Sequence, residues 1–275
     1  MFMNVFKFCF VFVLTLAINF AFAQSASVSP SRLYYKVAPG GYKSQTIHVA
    51  NNGTKPETFK ITFANFSAAG NKGKSVVDSS ENNSRGCSEW LSASPAFFEI
   101  AAGETKDVEI LLQVPNTPEA NNARWAITNI KLARENVGTN EKGENITGMQ
   151  IIQSFQFSVH IFQTPPTVTF KEAKVLSFYR DTLSKSDSVI TLKMEFKNTG
   201  EAILDCASYL DIVNIKTGET TRVKNKAFTL LPGAQREMKF YLPVELPKGE
   251  YNVLGVIDYG SNENLAGSEL NLIIK

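Results

Sequence analysis

Phe97-Phe98-Glu99-Ile100-Ala101-Ala102-Gly103-Glu104-Thr105-Lys106-Asp107-Val108-Glu109-Ile110-Leu111-Leu112-Gln113-Val114 reads as strand, turn, strand. Apolar Val108, Ile110, Leu112 and Val114 recur at every second position, and Ala102-Gly103 supplies the turn. A period of two places one apolar row on one face of a half-buried strand. The pattern continues outward in both directions, through Phe59, Ile61 and Phe63 upstream, then Ile190, Leu192, Met194 and Phe196, and finally Leu270, Leu272 and Ile274. Between these runs lie turns such as Pro39-Gly40-Gly41, Asn51-Asn52-Gly53, Pro232-Gly233 and Pro247-Lys248-Gly249. Helical periodicity is weak throughout. Many short strands with regular turn punctuation indicate an all-β sandwich or barrel, and the absence of alternating helices argues against a parallel α/β enzyme.

A repeat divides the chain. The strand from Ile47 runs into Asn51-Asn52-Gly53, and the Phe97 to Gly103 run follows; the strand from Leu192 runs into Asn198-Thr199-Gly200, and Phe228-Thr229-Leu230-Leu231-Pro232-Gly233 follows. Two immunoglobulin-like β-sandwich domains in tandem are expected, over 24–165 and 168–275. Thr164-Pro165-Pro166-Thr167 marks the boundary, because consecutive prolines interrupt strand pairing. The polar stretches Ser67 to Gly86 and Arg134 to Asn145 are expected to be mobile loops.

Residues 1–23 carry one early charge, Lys7, an apolar run from Phe8 to Phe22 and a small-x-small end at Ala21-Phe22-Ala23, the pattern of a secretory signal peptide. No later run is long and apolar enough for a stable membrane span. The formal net charge is +2 over 275 residues, so no global field favours nucleic acid. Past the leader only Cys87 and Cys206 remain, one in each expected domain, and they are expected to be unbonded.

The residue types of catalysis are sparse. The two histidines, His48 and His160, each fall within a strand run, and no Cys or His pair has zinc spacing. Nucleophile-elbow, phosphate-loop and dinucleotide motifs are absent. No enzyme activity, metal or cofactor is expected, and His48 between Ile47 and Val49 reads as a polar-face residue.

Four stretches resemble the periplasmic pilus chaperones of the PapD type. They are the opening Val28-Ser29-Pro30-Ser31-Arg32-Leu33-Tyr34-Tyr35, the Phe97 to Lys106 turn, Trp125-Ala126-Ile127-Thr128-Asn129-Ile130, and the Met149 to Pro165 strand ending Val159-His160-Ile161-Phe162-Gln163-Thr164-Pro165. The resemblance spans the first domain; Val189 to Lys275 looks more like generic immunoglobulin or fibronectin-like modules of bacterial surface proteins. It implies a periplasmic chaperone whose last first-domain strand pairs with an incomplete sandwich in a secreted or surface subunit, by β-strand addition. In the family an Arg on the first strand and a Lys near the end of the last grip the client's terminal carboxylate. Arg32 matches the first, while His160 stands where the Lys is, and a histidine is only partly charged near neutral pH. Alternate side chains counted back from His160 are expected at Phe155, Gln153, Ile151 and Met149, with the apolar three entering the client. The other reading of the two sandwiches is a structural module of the envelope or cell surface that binds peptidoglycan, polysaccharide or an envelope protein.

Overall fold

Ile47 and Val49 on one strand, and Val108, Ile110 and Leu112 on its neighbour, are fully buried, and polar residues between them face solvent. The computed structural model describes residues 26–78, 84–132, 155–182, 189–243, 245–261 and 264–274. The expected leader, the Arg134 to Asn145 stretch, Met149, Ile151 and Gln153 lie outside them.

Ten strands form the first sandwich: β1 (Ala26–Ser29), β2 (Arg32–Tyr35), β3 (Tyr42–Asn51), β4 (Glu57–Ala69), β5 (Lys74–Asp78), β6 (Leu91–Ser94), β7 (Phe97–Ile100), β8 (Thr105–Gln113), β9 (Arg124–Leu132) and β10 (Gln156–Gln163). One sheet runs β1-β3-β8-β6; the other runs β2-β10-β9-β4-β5, with β7 also on β4. The chain changes sheet between β1 and β2, at a cis Ser29–Pro30 bond. The two inner faces enclose one core that includes Tyr35, Phe59, Ile110, Ile130 and Ile161. Fully burying each such aliphatic or aromatic side chain is worth roughly 1.5–3 kcal/mol.

Eight strands form the second sandwich: β11 (Ala173–Arg180), β12 (Thr191–Asn198), β13 (Leu204–Asn214), β14 (Thr220–Lys224), β15 (Phe228–Leu230), β16 (Gln235–Tyr241), β17 (Gly249–Asp258) and β18 (Ala266–Ile274). Its sheets are β11-β12-β16 and β14-β13-β17-β18, with β15 on β13. A separate core lies between them, built on Leu192, Met194, Phe196, Leu204 and Phe240. Cys87 is buried in the first core and Cys206 in the second, both as free thiols.

The repeat read from Asn-x-Gly has a physical basis. Asn51 Nδ2 donates to Lys55 O (2.8 Å) and Ile100 O (3.0 Å), and its Oδ1 accepts from Gly53 N (3.0 Å). Asn198 Nδ2 donates to Ala202 O and Leu230 O (both 2.9 Å), and its Oδ1 accepts from Gly200 N (2.9 Å). Each side chain closes its own turn two residues on and ties it to the strand before the glycine turn. Gly103 N then bonds Asn51 O, as Gly233 N bonds Asn198 O.

The polar stretch from Ser67 is not a loop at its start. β4 continues to Ala69 and returns as β5 through a turn at Gly70 (φ 56°) and Gly73 (φ 66°). The two glycines adopt left-handed conformations that a Cβ would strain, and exposed β5 at a sheet edge has no need of an apolar row. His48 sits exposed on β3 as expected, with Nδ1 2.6 Å from Asp107 Oδ1 on β8.

Candidate functional site

β10 presents different chemistry on its two faces. Val159 and Ile161 enter the first core, and Phe157 packs against it. His160 and Phe162 point the other way, towards the second sandwich. There Phe66, Trp125, Ile127 and Phe162 meet Leu231 of the second sandwich in a small apolar cluster, and Trp125 Nε1 donates to Phe66 O (2.8 Å).

His160 sits within this cluster. Its ring meets Phe66 edge-on at 5.1 Å and stacks on Phe162 at 6.0 Å, and Nε2 lies 3.0 Å from Ser75 Oγ on β5. Burial pushes its pKa below the usual histidine value, and the charge of Arg32 adds to the shift. Arg32 is the residue paired with His160 where β2 joins β10 in parallel, so the structure brings these two residues together.

Phe155 is not on this face. It lies an odd number of positions before His160, so the period of two puts it on the side of Phe157, Val159 and Ile161. Leu132 N bonds Phe155 O (3.3 Å), which extends the β9–β10 ladder to this residue and keeps the alternation in register. Counting back from His160 therefore gives Ser158 and Gln156; both side chains donate to Asn129 Oδ1, at 3.0 and 2.8 Å.

The even positions also control the outer edge of β10. His160 N donates outward to Ser31 O (3.1 Å), and in a strand alternate residues direct their backbone groups to the same side. Pairing with β2 covers only His160 to Gln163. Ser158 and Gln156 therefore direct N–H and C=O to an edge with no described strand beside it.

Next to that edge is a cleft of about 150 Å³ between the sandwiches. Arg32, Lys74, Ser75 and His160 line it from the first sandwich, and Phe228, Thr229 and Arg236 from the second; among the described residues no Asp or Glu lines it. Arg236 on β16 lies over the Phe228 ring at 5.4 Å. Burial lowers its pKa, and the charge of Arg32 lowers it further, though a guanidinium stays charged. The walls are tied together across the boundary. Tyr34 OH donates to Asp205 Oδ1 (3.0 Å), Glu237 N donates to Asn71 O (2.6 Å), and Asn71 Nδ2 donates to Glu195 Oε1 (2.9 Å). Arg236 and Lys74 are the residues that sequence reading missed. Arg236 lies in an exposed-looking strand and Lys74 in a stretch read as a loop, and nothing local distinguishes either from a solvated basic residue.

No known family model and no curated protein matches the sequence. Solved structures do resemble the fold. The Escherichia coli chaperone DraB aligns at 14% identity over 90% of this chain and 98% of its own, with a TM-score of 0.43. A chain of the Acinetobacter baumannii CsuC–CsuE chaperone–tip adhesion subunit pre-assembly complex aligns at 10% over 89% and 98%, with a TM-score of 0.47. A chain of the Salmonella enterica SafA pilin complex with the SafB chaperone aligns at 11% over 90% and 97%, with a TM-score of 0.43. Each of these likenesses spans most of both chains at low sequence identity. Among the described residues no helix is long and apolar enough to cross a membrane.

Proposed function

We propose that this chain is an exported, periplasmic chaperone-like protein that holds a secreted or surface subunit by β-strand addition along β10 and has no catalytic role. The observation that carries this reading is the juxtaposition of an edge at Gln156 and Ser158 that has no described strand beside it with a cleft whose described lining includes basic residues and no acid. An extended polypeptide paired with that edge gains backbone hydrogen bonds, and a chain end reaching Arg32 gains a charged partner for its carboxylate. In this reading Arg32 anchors the carboxylate and His160 packs beside it. Phe155 and the upstream Ile151 and Met149, which share the parity of Phe157 and Val159 and not that of His160, form the apolar row offered to the client.

Proline tests the edge selectively. Ser158→Pro deletes an N–H that points away from β9, so the internal ladder keeps its bonds while the outward one is lost. Tagged wild type should retain a partner from periplasmic extract that folded Ser158→Pro, checked by circular dichroism, does not. If the folded variant keeps every partner, the edge mechanism is wrong. If, in addition, the protein sediments with envelope material, the surface-module reading replaces it.

A further inference from the structure

The carboxylate anchor read from sequence has one permanent cation, Arg32, and one weak one, His160. The cleft contains a better second candidate. We propose that Arg236, carried by the second sandwich, is the second cation of the anchor: it and Arg32 together grip the C-terminal α-carboxylate of the bound polypeptide, which bridges the two sandwiches. This rests on the strand-addition reading and adds to it which residues hold the chain end.

Arg32 and Arg236 face the same cleft, and among the described residues no carboxylate lines it. Among the described residues neither guanidinium has a hydrogen bond or ion pair, so their donors remain available. Burial, and then the charge of Arg32, lower the Arg236 pKa, and an anion placed between the two guanidinium groups would offset their repulsion. A planar guanidinium suits a carboxylate because its parallel N–H groups can engage both oxygens.

Arg236 is also held in place. The Phe228 ring lies on one side of it, and the turn of the β4–β5 hairpin lies on the other. A Cβ built on Gly73 would fall 1.4 Å from Arg236 Nη1 and 2.1 Å from Cζ. Only glycine lets the first sandwich approach the guanidinium this closely. His160, by contrast, is half-buried among Phe66 and Phe162 and already engages Ser75. The groups facing it are Arg32 on β2, Lys74 and Ser75 on β5 and Arg236 on β16, none of them anionic. Protonating His160 in this setting is unfavourable, so near neutral pH the second charge comes from Arg236.

The test uses N-acetylglycine as a small carboxylate probe, N-acetylglycinamide as its neutral counterpart and inorganic phosphate as a generic anion. Binding to the full chain lacking its leader is followed by NMR shifts of the arginine Nε–H groups. Wild type should bind N-acetylglycine and not the amide. Arg236→Gln and Arg32→Gln should each weaken it about tenfold, the worth of one charged hydrogen bond. Arg236→Lys should recover part of the loss. Gly73→Ala should weaken binding with Arg236 itself intact, by displacing the guanidinium. Unchanged affinity in folded Arg236→Gln, with a loss in Arg32→Gln, overturns the assignment of Arg236. Phosphate binding as tightly as N-acetylglycine overturns the terminal carboxylate as ligand. If neither probe binds wild type, the carboxylate anchor as a whole fails, and strand addition still stands or falls on Ser158→Pro.

Discussion

Asn198→Ala should destabilise the second sandwich far more than its single-residue size suggests. The buried side chain makes three hydrogen bonds, two from Nδ2 to Ala202 O and Leu230 O and one from Gly200 N to Oδ1, all at 2.9 Å. Removing it leaves two carbonyls and one N–H without these partners in the turn after β12. At about 1 kcal/mol net per bond the cost is about 3 kcal/mol, rising towards 5 if water cannot reach the orphaned groups. With about 2.1 cal/mol/K of unfolding entropy per residue, a unit of about 100 residues should melt roughly 14 °C lower, and about 24 °C lower at the upper cost. Asn51→Ala removes the equivalent bonds to Lys55, Ile100 and Gly53 in the first sandwich, so the same penalty should fall there. Scanning calorimetry of both variants beside wild type reads this directly, with urea titration for the free energies. A loss below about 1 kcal/mol in Asn198→Ala would show that the turn closes without its asparagine, and the repeat would lose its physical basis.

Two further outcomes follow from the buried titratable groups. His160 is pushed below the usual value by burial and then by Arg32, so between its folded pKa and about 6.5 the unfolded chain takes up a proton that the folded chain refuses. Its contribution is fully present above about pH 6.5 and declines as the pH falls through that value towards the folded pKa. The drop in urea midpoint from pH 7.5 to 5.5 should therefore be smaller in His160→Gln, and equal drops in the two proteins would contradict the shift. Burial pushes both the Cys87 and the Cys206 thiol up to about 12, so neither should react with iodoacetamide at pH 8 until the chain is unfolded. Labelling of the native protein within minutes, or a disulfide-linked peptide pair by mass spectrometry, would contradict their separate burial.

The sandwiches were legible because their signals are local. Val108, Ile110 and Leu112 alternate within one strand, and Asn51 and Asn198 each close a turn with a glycine two residues away. The β4–β5 hairpin was not legible. An exposed edge strand needs no apolar row, so its polar residues look like a loop until glycines at positive φ turn the chain back. Arg236 was hidden for a different reason. Its neighbours in the cleft, Gly73 and Arg32, are distant in sequence, and a lone arginine in Gln235-Arg236-Glu237 has the look of any solvated strand residue. The placement of Phe155 beside His160 failed on parity alone, since the period of two already separates them.

That parity explains how one strand can hold a core and still offer an edge. The odd positions of β10, Val159 and Ile161, are committed to the first core, and losing either side chain would cost a few kcal/mol of packing. The even positions carry the cleft and the outward backbone: Ser158 and Gln156 satisfy their side chains on Asn129, and their main-chain groups face an edge with no described strand beside it. An edge with polar side chains and unpaired backbone is less prone to uncontrolled association than an apolar one, yet it keeps the donors and acceptors that strand addition needs. Under the proposed strand addition, the edge of Gln156 and Ser158 would pair with an extended backbone, and the cleft beside it, lined by Arg32 from one sandwich and Arg236 from the other, would favour a chain that ends there with its carboxylate exposed. Backbone pairing would then supply affinity, and the two arginines would set the register at which the client stops.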